Sequence, residues 1–203
     1  LFATDFGHDV VGVDIDPHKI KTLNGGKLVS YMPDMEELLQ EGLQSGRLRF
    51  TVDYREALKG RKFIFLALPT PQSSTGEADL RFLQAAVRTI AKLAEPGEEK
   101  ILIIKSTAPP STDGLLQATA EEVLEARKLD KKPVLHFARE PEFLREGKEL
   151  VDARGGSNRG VVGTDDDSVA DQIANLYRKE YINPSHPRKE VPILKMDLKS
   201  APL

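Results

Sequence analysis

The 203-residue chain contains no cysteine and no tryptophan, and aromatic residues make up 6% of it. Without cysteine there are no disulfides, no thiolate zinc site and no cysteine nucleophile within these residues. Without tryptophan the core must be built mainly from Leu, Ile, Val and Ala. Nor does any apolar run approach the ~20 residues of a membrane-spanning helix. The opening "LFATDFGHDV" has neither the basic start nor the long apolar stretch of a secretory signal, so the expectation is a cytoplasmic, non-membrane protein. Charge of either sign is not in excess. Lys and Arg number 29 against 32 Asp and Glu, a net charge of −3, which removes the electrostatic basis for binding nucleic acid. The four histidines show no paired metal-ligand spacing, and no Ser/His/Asp set is recognisable.

What is present is alternation. Short β-branched runs, "DVVGVD" (9–14), "RLRFT" (47–51), "KFIFLAL" (62–68), "KILIIK" (100–105), "KPVLHFA" (132–138) and "RGVVG" (159–163), alternate with helical patterns. Several of these runs lack the polar/apolar alternation of a half-exposed strand, which predicts strands buried on both faces of a parallel sheet. Leu83, Val87, Ile90 and Ala94 form one helical stripe, and Leu116, Ala120, Val123 and Leu124 another. "DIDPHKI" predicts a helix start, with Asp16 as cap and Pro17 at the first helical position. A further helix is expected from Asp165 to about Glu180. Strand-helix alternation implies an α/β, doubly wound, mainly parallel sheet with helices on both faces, whose ligands sit beyond the carboxyl ends of its strands. The domain is expected over 1–180. Residues 181–203, with four prolines and little periodicity, are expected to be a linker.

Candidate site residues lie at strand ends. Asp14 closes a strand and suits either of two roles, a ribose-binding carboxylate or simple punctuation of a strand-to-helix turn. If it is the former, the Gly-rich turn about 20 residues upstream lies before Leu1, and "LFATDFGH" is the end of its helix with Gly7 as the stop. Lys19 then reaches a phosphate or ribose; alone it is a solvated lysine. Thr70, between Pro69 and Pro71, and Thr107, in "IIKSTAPPST", offer hydroxyls just past buried strands. Each also suits a stiff loop. In "AREPEFLREGKEL" (138–150), Glu142 and Glu146 stand one helical turn apart with Arg145 close by. They are either a helix start enriched in acid by the dipole or part of a site that uses both carboxylates. "GGSNRG" (155–160) lacks the Gly-Lys-Ser/Thr ending of a phosphate loop.

In this order, "HDVVGVDID", "GRLRFT", "TP" followed by "GEADL", "KST" and "PEFLREG" resemble the amino-terminal half of the nucleotide-sugar 6-dehydrogenases. That is the UDP-glucose/GDP-mannose dehydrogenase family, and its UDP-glucose 6-dehydrogenase branch is the nearest match. The resemblance implies a Rossmann-type NAD-binding domain, lacking its first strand and Gly-rich turn, from an enzyme that oxidises a sugar C6 alcohol to a carboxylate with two NAD. It implies that Asp14 and Lys19 contact the adenosine ribose, Thr70 and Pro71 form a cofactor loop, and Thr107 binds water and cofactor. Glu142 is then the acid/base of the hydrolytic step, Glu146 lies near the nicotinamide end and contacts sugar, and Phe143, Leu144 and Arg145 line the sugar pocket beside Glu142. It also implies a homo-oligomer in the whole enzyme, and a catalytic Lys, Asn and Cys that these residues do not include, so this stretch alone should not turn over. The departures are Glu140 for an expected Asn, Pro69 in the cofactor loop, "MPD" (32–34) for "EPG", and Pro202 for Glu. They keep open a non-catalytic relative used as a regulatory module, or a GDP-mannose dehydrogenase.

Overall fold

The structure is a computed structural model that describes all residues except 31, 33, 34, 75, 142–149, 151, 153–159, 178–192 and 202–203. Two compact units emerge. The first holds the described residues of Leu1–Ala57, Phe143–Arg159 and Ala174–Pro192; the second holds those of Leu58–Glu142, Gly160–Ile173 and Ile193–Leu203.

In the first unit, β1 (Val10–Val13) and β2 (Leu48–Thr51) pair in parallel, Val10 opposite Leu48 and Val13 opposite Thr51. Gly12 faces Phe50, and a Cβ there would lie 2.4 Å from the Phe50 ring, so the glycine is what lets that ring cover the strand. Helix α1 (Pro17–Asn24) begins as the Asp-Pro signature predicts: Asp16 Oδ1 accepts from the amides of His18 (2.8 Å) and Lys19 (3.4 Å). At its other end the Asn24 side chain donates to Phe50 O and accepts from Phe50 N, imitating a strand on the free side of β2. Helix α2 (Met35–Gln44) packs on β2 through Gly42, where a Cβ would approach Leu48 to 3.0 Å. Before β1, Gly7 has φ +73° and the His8 amide donates to Phe2 O at 2.9 Å. That bond spans seven residues rather than the six of the usual helix-terminating closure, so the helix end expected at "LFATDFGH" is present as a turn over residues 2–5 with Gly7 in the left-handed stop conformation. Phe2, Phe6, His8 and Tyr177 form an aromatic cluster beside this turn.

The second unit opens with the end of α3 (Tyr54–Leu58) and carries a five-stranded sheet in the order β3 (Phe63–Leu66), β4 (Glu99–Ile104), β5 (Val134–Arg139), β6 (Gly160–Gly163), β7 (Ile193–Met196). All neighbours are parallel except β5 and β6, which meet at the single pair Arg139 and Gly163. Lys100 to Ile104 are each no more than 1% exposed; successive side chains point to opposite faces, so both faces of β4 are covered. Helices α4 (Arg81–Leu93) and α5 (Thr112–Ala126) pack together and bury the two predicted stripes. Each large apolar side chain so buried contributes about 1.5–3 kcal/mol. Helix α6 (Asp167–Leu176) is capped by Asp166 and lies within the expected 165–180 span.

Strand β7 falls in the stretch expected to be a linker. After β7, Asp197 accepts from the amides of Lys199 and Ser200 as a helix cap does, and Ala201 packs against Gly163 so closely that a Cβ on the glycine would lie 2.2 Å away.

Candidate functional site

Asp14 stands one residue beyond the carboxyl end of β1, and its amide still donates to Thr51 O at 3.4 Å. Its Oδ1 accepts from the Asp16 amide (2.9 Å) and its Oδ2 from Lys19 Nζ (3.2 Å), while its side chain remains 35% exposed. The Asp16 amide foremost, and the Lys19 ammonium behind it, hold the Asp14 carboxyl below its ordinary 3.8, against partial burial that pushes it up. Half-buried Tyr54 answers from the same unit, its hydroxyl pushed above 10.0 by burial and then by the Asp14 charge. The strand end therefore presents an accessible carboxylate anion steadied by a cation. A carboxylate depressed on folding stabilises the fold above its unfolded value, and that contribution is lost as pH falls through the folded value. Lys19→Met should move the Asp14 titration, followed by carboxyl-carbon NMR, back toward 3.8; no movement would mean that the cation plays no part.

The second unit brings together the ends of β3 and β4. Ser106 ties them: its Oγ donates to Leu68 O (2.6 Å) and lies 3.2 Å from Leu66 O, and it accepts from the Leu68 amide (2.9 Å). Thr70 Oγ1 donates to Thr107 O at 2.6 Å, so the two threonines singled out in the sequence are joined, and the Thr107 side chain is left exposed. Pro71 accepts from the Asp79 amide through its carbonyl (2.8 Å), closing the loop that leads to α4. Asp79 itself, chelated by the Arg81 guanidinium and amide, is lowered to about 2.

At the ends of β4 and β5, Lys105 Nζ lies 3.2 Å from Glu140 Oε1, and Glu140 is 8% exposed. Glu140, which stands where the resemblance expects Asn, thus has a cationic neighbour on the adjacent strand end. The parallel register places Ile104 opposite Arg139, so Lys105 and Glu140 follow as the next opposed residues. Ser106, Lys105 and Arg139 were not singled out in the sequence, because a pairing across 35 residues leaves no local period. Glu142, Phe143, Leu144, Arg145 and Glu146 lie outside the described residues. The structure thus brings Asp14 to Lys19 in one unit and Thr70 to Thr107 in the other. Among the described residues no group of His, Asp and Glu is arranged to hold a metal, and no helix is long and apolar enough to cross a membrane.

Comparison with known proteins places this arrangement. The family model described as "UDP-glucose/GDP-mannose dehydrogenase family, NAD binding domain" matches residues 1–181. The UDP-glucose 6-dehydrogenase YwqF of Bacillus subtilis is 34% identical over 199 residues, 98% of this chain and 41% of its own length. A GDP-mannose 6-dehydrogenase of Pseudomonas syringae is 31% identical over 191 residues, covering 94% of this chain and 42% of that protein. Among solved structures, a UDP-glucose dehydrogenase from Pyrobaculum islandicum superposes with a TM-score of 0.83 at 33% identity, over 99% of this chain and 43% of that one. The chain therefore spans about two fifths of the length of the relatives it matches.

Proposed function

Because the chain belongs to the UDP-glucose/GDP-mannose dehydrogenase family and matches its NAD-binding domain, we propose that it forms the cofactor-binding part, and one wall of the sugar pocket, of an NAD-dependent nucleotide-sugar 6-dehydrogenase. The fold is of the Rossmann type, and NAD is the cofactor of the matched domain. The observation that carries the reading is Asp14: an ionised, accessible carboxylate just past a parallel strand, the acceptor that a ribose diol requires. The residues present fit the dinucleotide. Asp14 and Lys19 would hold its adenosine ribose; Thr70, Pro71 and Thr107 would line its path at the ends of β3 and β4. When bound, NAD accepts hydride from the sugar carbon, and the protein's share is to position and to move protons. In this reading Thr107 also holds a water, Glu142 exchanges its proton, Glu146 lies toward the nicotinamide and the sugar, and Phe143, Leu144 and Arg145 shape the sugar pocket.

UDP-glucose is the substrate we favour, since two UDP-glucose 6-dehydrogenases of Bacillus subtilis match 98% and 97% of this chain at 34% and 32% identity. The test uses the complete protein encoded by the reading frame that contains this chain. With UDP-glucose it should reduce two NAD for each alcohol taken to the carboxylate, read as NADH absorbance, and GDP-mannose should be poor. Preference for GDP-mannose would reassign the sugar. Absence of NADH with every nucleotide sugar, in a protein that still binds NAD, would favour the non-catalytic relative.

A further inference from the structure

Arg139 is the last residue of β5 and is 4% exposed. Its guanidinium uses three donors on three different groups. Nε donates to Asp113 Oδ1 (2.7 Å), in the first turn of α5; Nη1 donates to Ala108 O (2.8 Å) and Nη2 to Pro109 O (2.7 Å). Asp113 is also 4% exposed, and the guanidinium holds its carboxyl down against a burial that, as the larger effect, raises it. Ala108 and Pro109 directly follow Thr107. Pro109 forces Ala108 away from helical geometry: the Thr112 amide meets Pro109 O locally at 3.0 Å, whereas the Ala108 carbonyl turns to Arg139. The start of the segment is fastened by Ser106 and Thr70; its far end is fastened by Arg139.

A buried ion pair of this kind adds little net stability over well-packed apolar side chains, because both charges lose their hydration. Its distinctive property is geometric: a planar fork fixes several acceptors at once, which an ammonium or an apolar group does not. Arg139 also immediately precedes Glu140 and Pro141, so one side chain fixes the Thr107 segment from the residue that leads into 142–146.

We propose that Arg139, anchored on Asp113, is a positioning residue that presets the backbone displaying Thr107 for the cofactor. This rests on the reading of Thr107 as a cofactor contact. The test is made on the complete protein, with the dissociation constant for NAD from calorimetry at a temperature well below unfolding and hydrogen exchange of the Thr107 and Ala108 amides. Arg139→Met should weaken NAD about tenfold, the scale of one charge-assisted contact, and speed exchange at both amides. Arg139→Lys, which keeps the charge but not the fork, should fall between the variant and the parent, and Asp113→Asn should weaken NAD in the same direction. Thr107→Ala should weaken NAD in the parent and add little in Arg139→Met. Should Arg139→Met fail to fold, Arg139→Lys and Asp113→Asn carry the test. Dissociation constants within about twofold of the parent in the folded variants, where a pair contact would give more, overturn the proposal while leaving the cofactor reading intact. A parent that binds no NAD overturns both.

Discussion

Lys100→Met should cost about 3–5 kcal/mol of stability, the loss found when one partner of a buried, hydrogen-bonded charge is removed. Lys100 lies on β4, which is covered on both faces, with its side chain 1% exposed. Its Nζ donates to Leu58 O at 3.1 Å and Arg61 O at 3.0 Å and lies 3.1 Å from Glu98 Oε2. Leu58 ends α3 and Arg61 lies just before β3, so the ammonium satisfies carbonyls that helix and sheet both leave open. Methionine keeps the length and apolar contact of the stem but supplies no donor. Urea unfolding at neutral pH should show a lower midpoint with an unchanged slope, since the surface exposed on unfolding is the same. Lys100→Met combined with Glu98→Gln should lose less than the sum of the two, because the glutamate's partner is already gone. A loss below about 1 kcal/mol, the scale of an exposed pair, would mean that the ammonium is replaced by water at no cost.

Lys100 also marks the limit of what pattern reveals. "KILIIK" announces a buried strand because four apolar residues in succession cannot serve a half-exposed one, and the structure buries it as expected. The lysine inside that strand carries no such signal: its place depends on where a loop 39 to 42 residues earlier leaves its carbonyls. The start of α1 was legible because Asp16 and Pro17 act on their immediate neighbours. Gly7 was legible for the same reason. Strand β7 was not, since four residues beside prolines have too little length for a period, and their pairing is with β6, some 30 residues earlier in the sequence.

The candidate site divides along the same line. Asp14 with Lys19 was readable, being five residues apart across a capped turn. That Thr70 bonds the Thr107 carbonyl follows from β3 and β4 being adjacent and parallel, which fixes where both strands end. Glu140 shows the reverse case. On sequence it was one more acid in an acidic run; in the sheet it faces Lys105, a residue that the run does not contain. The departure at Glu140 is therefore accompanied by a cation on the neighbouring strand, which removes the simplest electrostatic objection to an anionic ligand near this edge.

Glu142→Gln in the complete protein should lower turnover by about 10²–10⁴-fold, the usual contribution of a positioned acid/base, with NAD affinity unchanged. Glutamine keeps the size of the side chain and one carbonyl acceptor but exchanges no proton at working pH. The residue lies two positions beyond Glu140, itself held at the end of β5 by its backbone N–H, which donates to Ile104 O at 3.1 Å. Pro141 narrows the path between them. The strand end that precedes 142–146 in the sequence is thus fixed, and Arg139 ties it to the loop that displays Thr107. If Glu142 acts on a water held by Thr107, then Thr107→Ala and Glu142→Gln remove the same step, and the double variant should be little slower than the worse single one. Additive losses would assign the two residues to separate steps. Unchanged turnover in Glu142→Gln would remove it from the chemistry, and a parallel fall in NAD affinity would make it a structural residue.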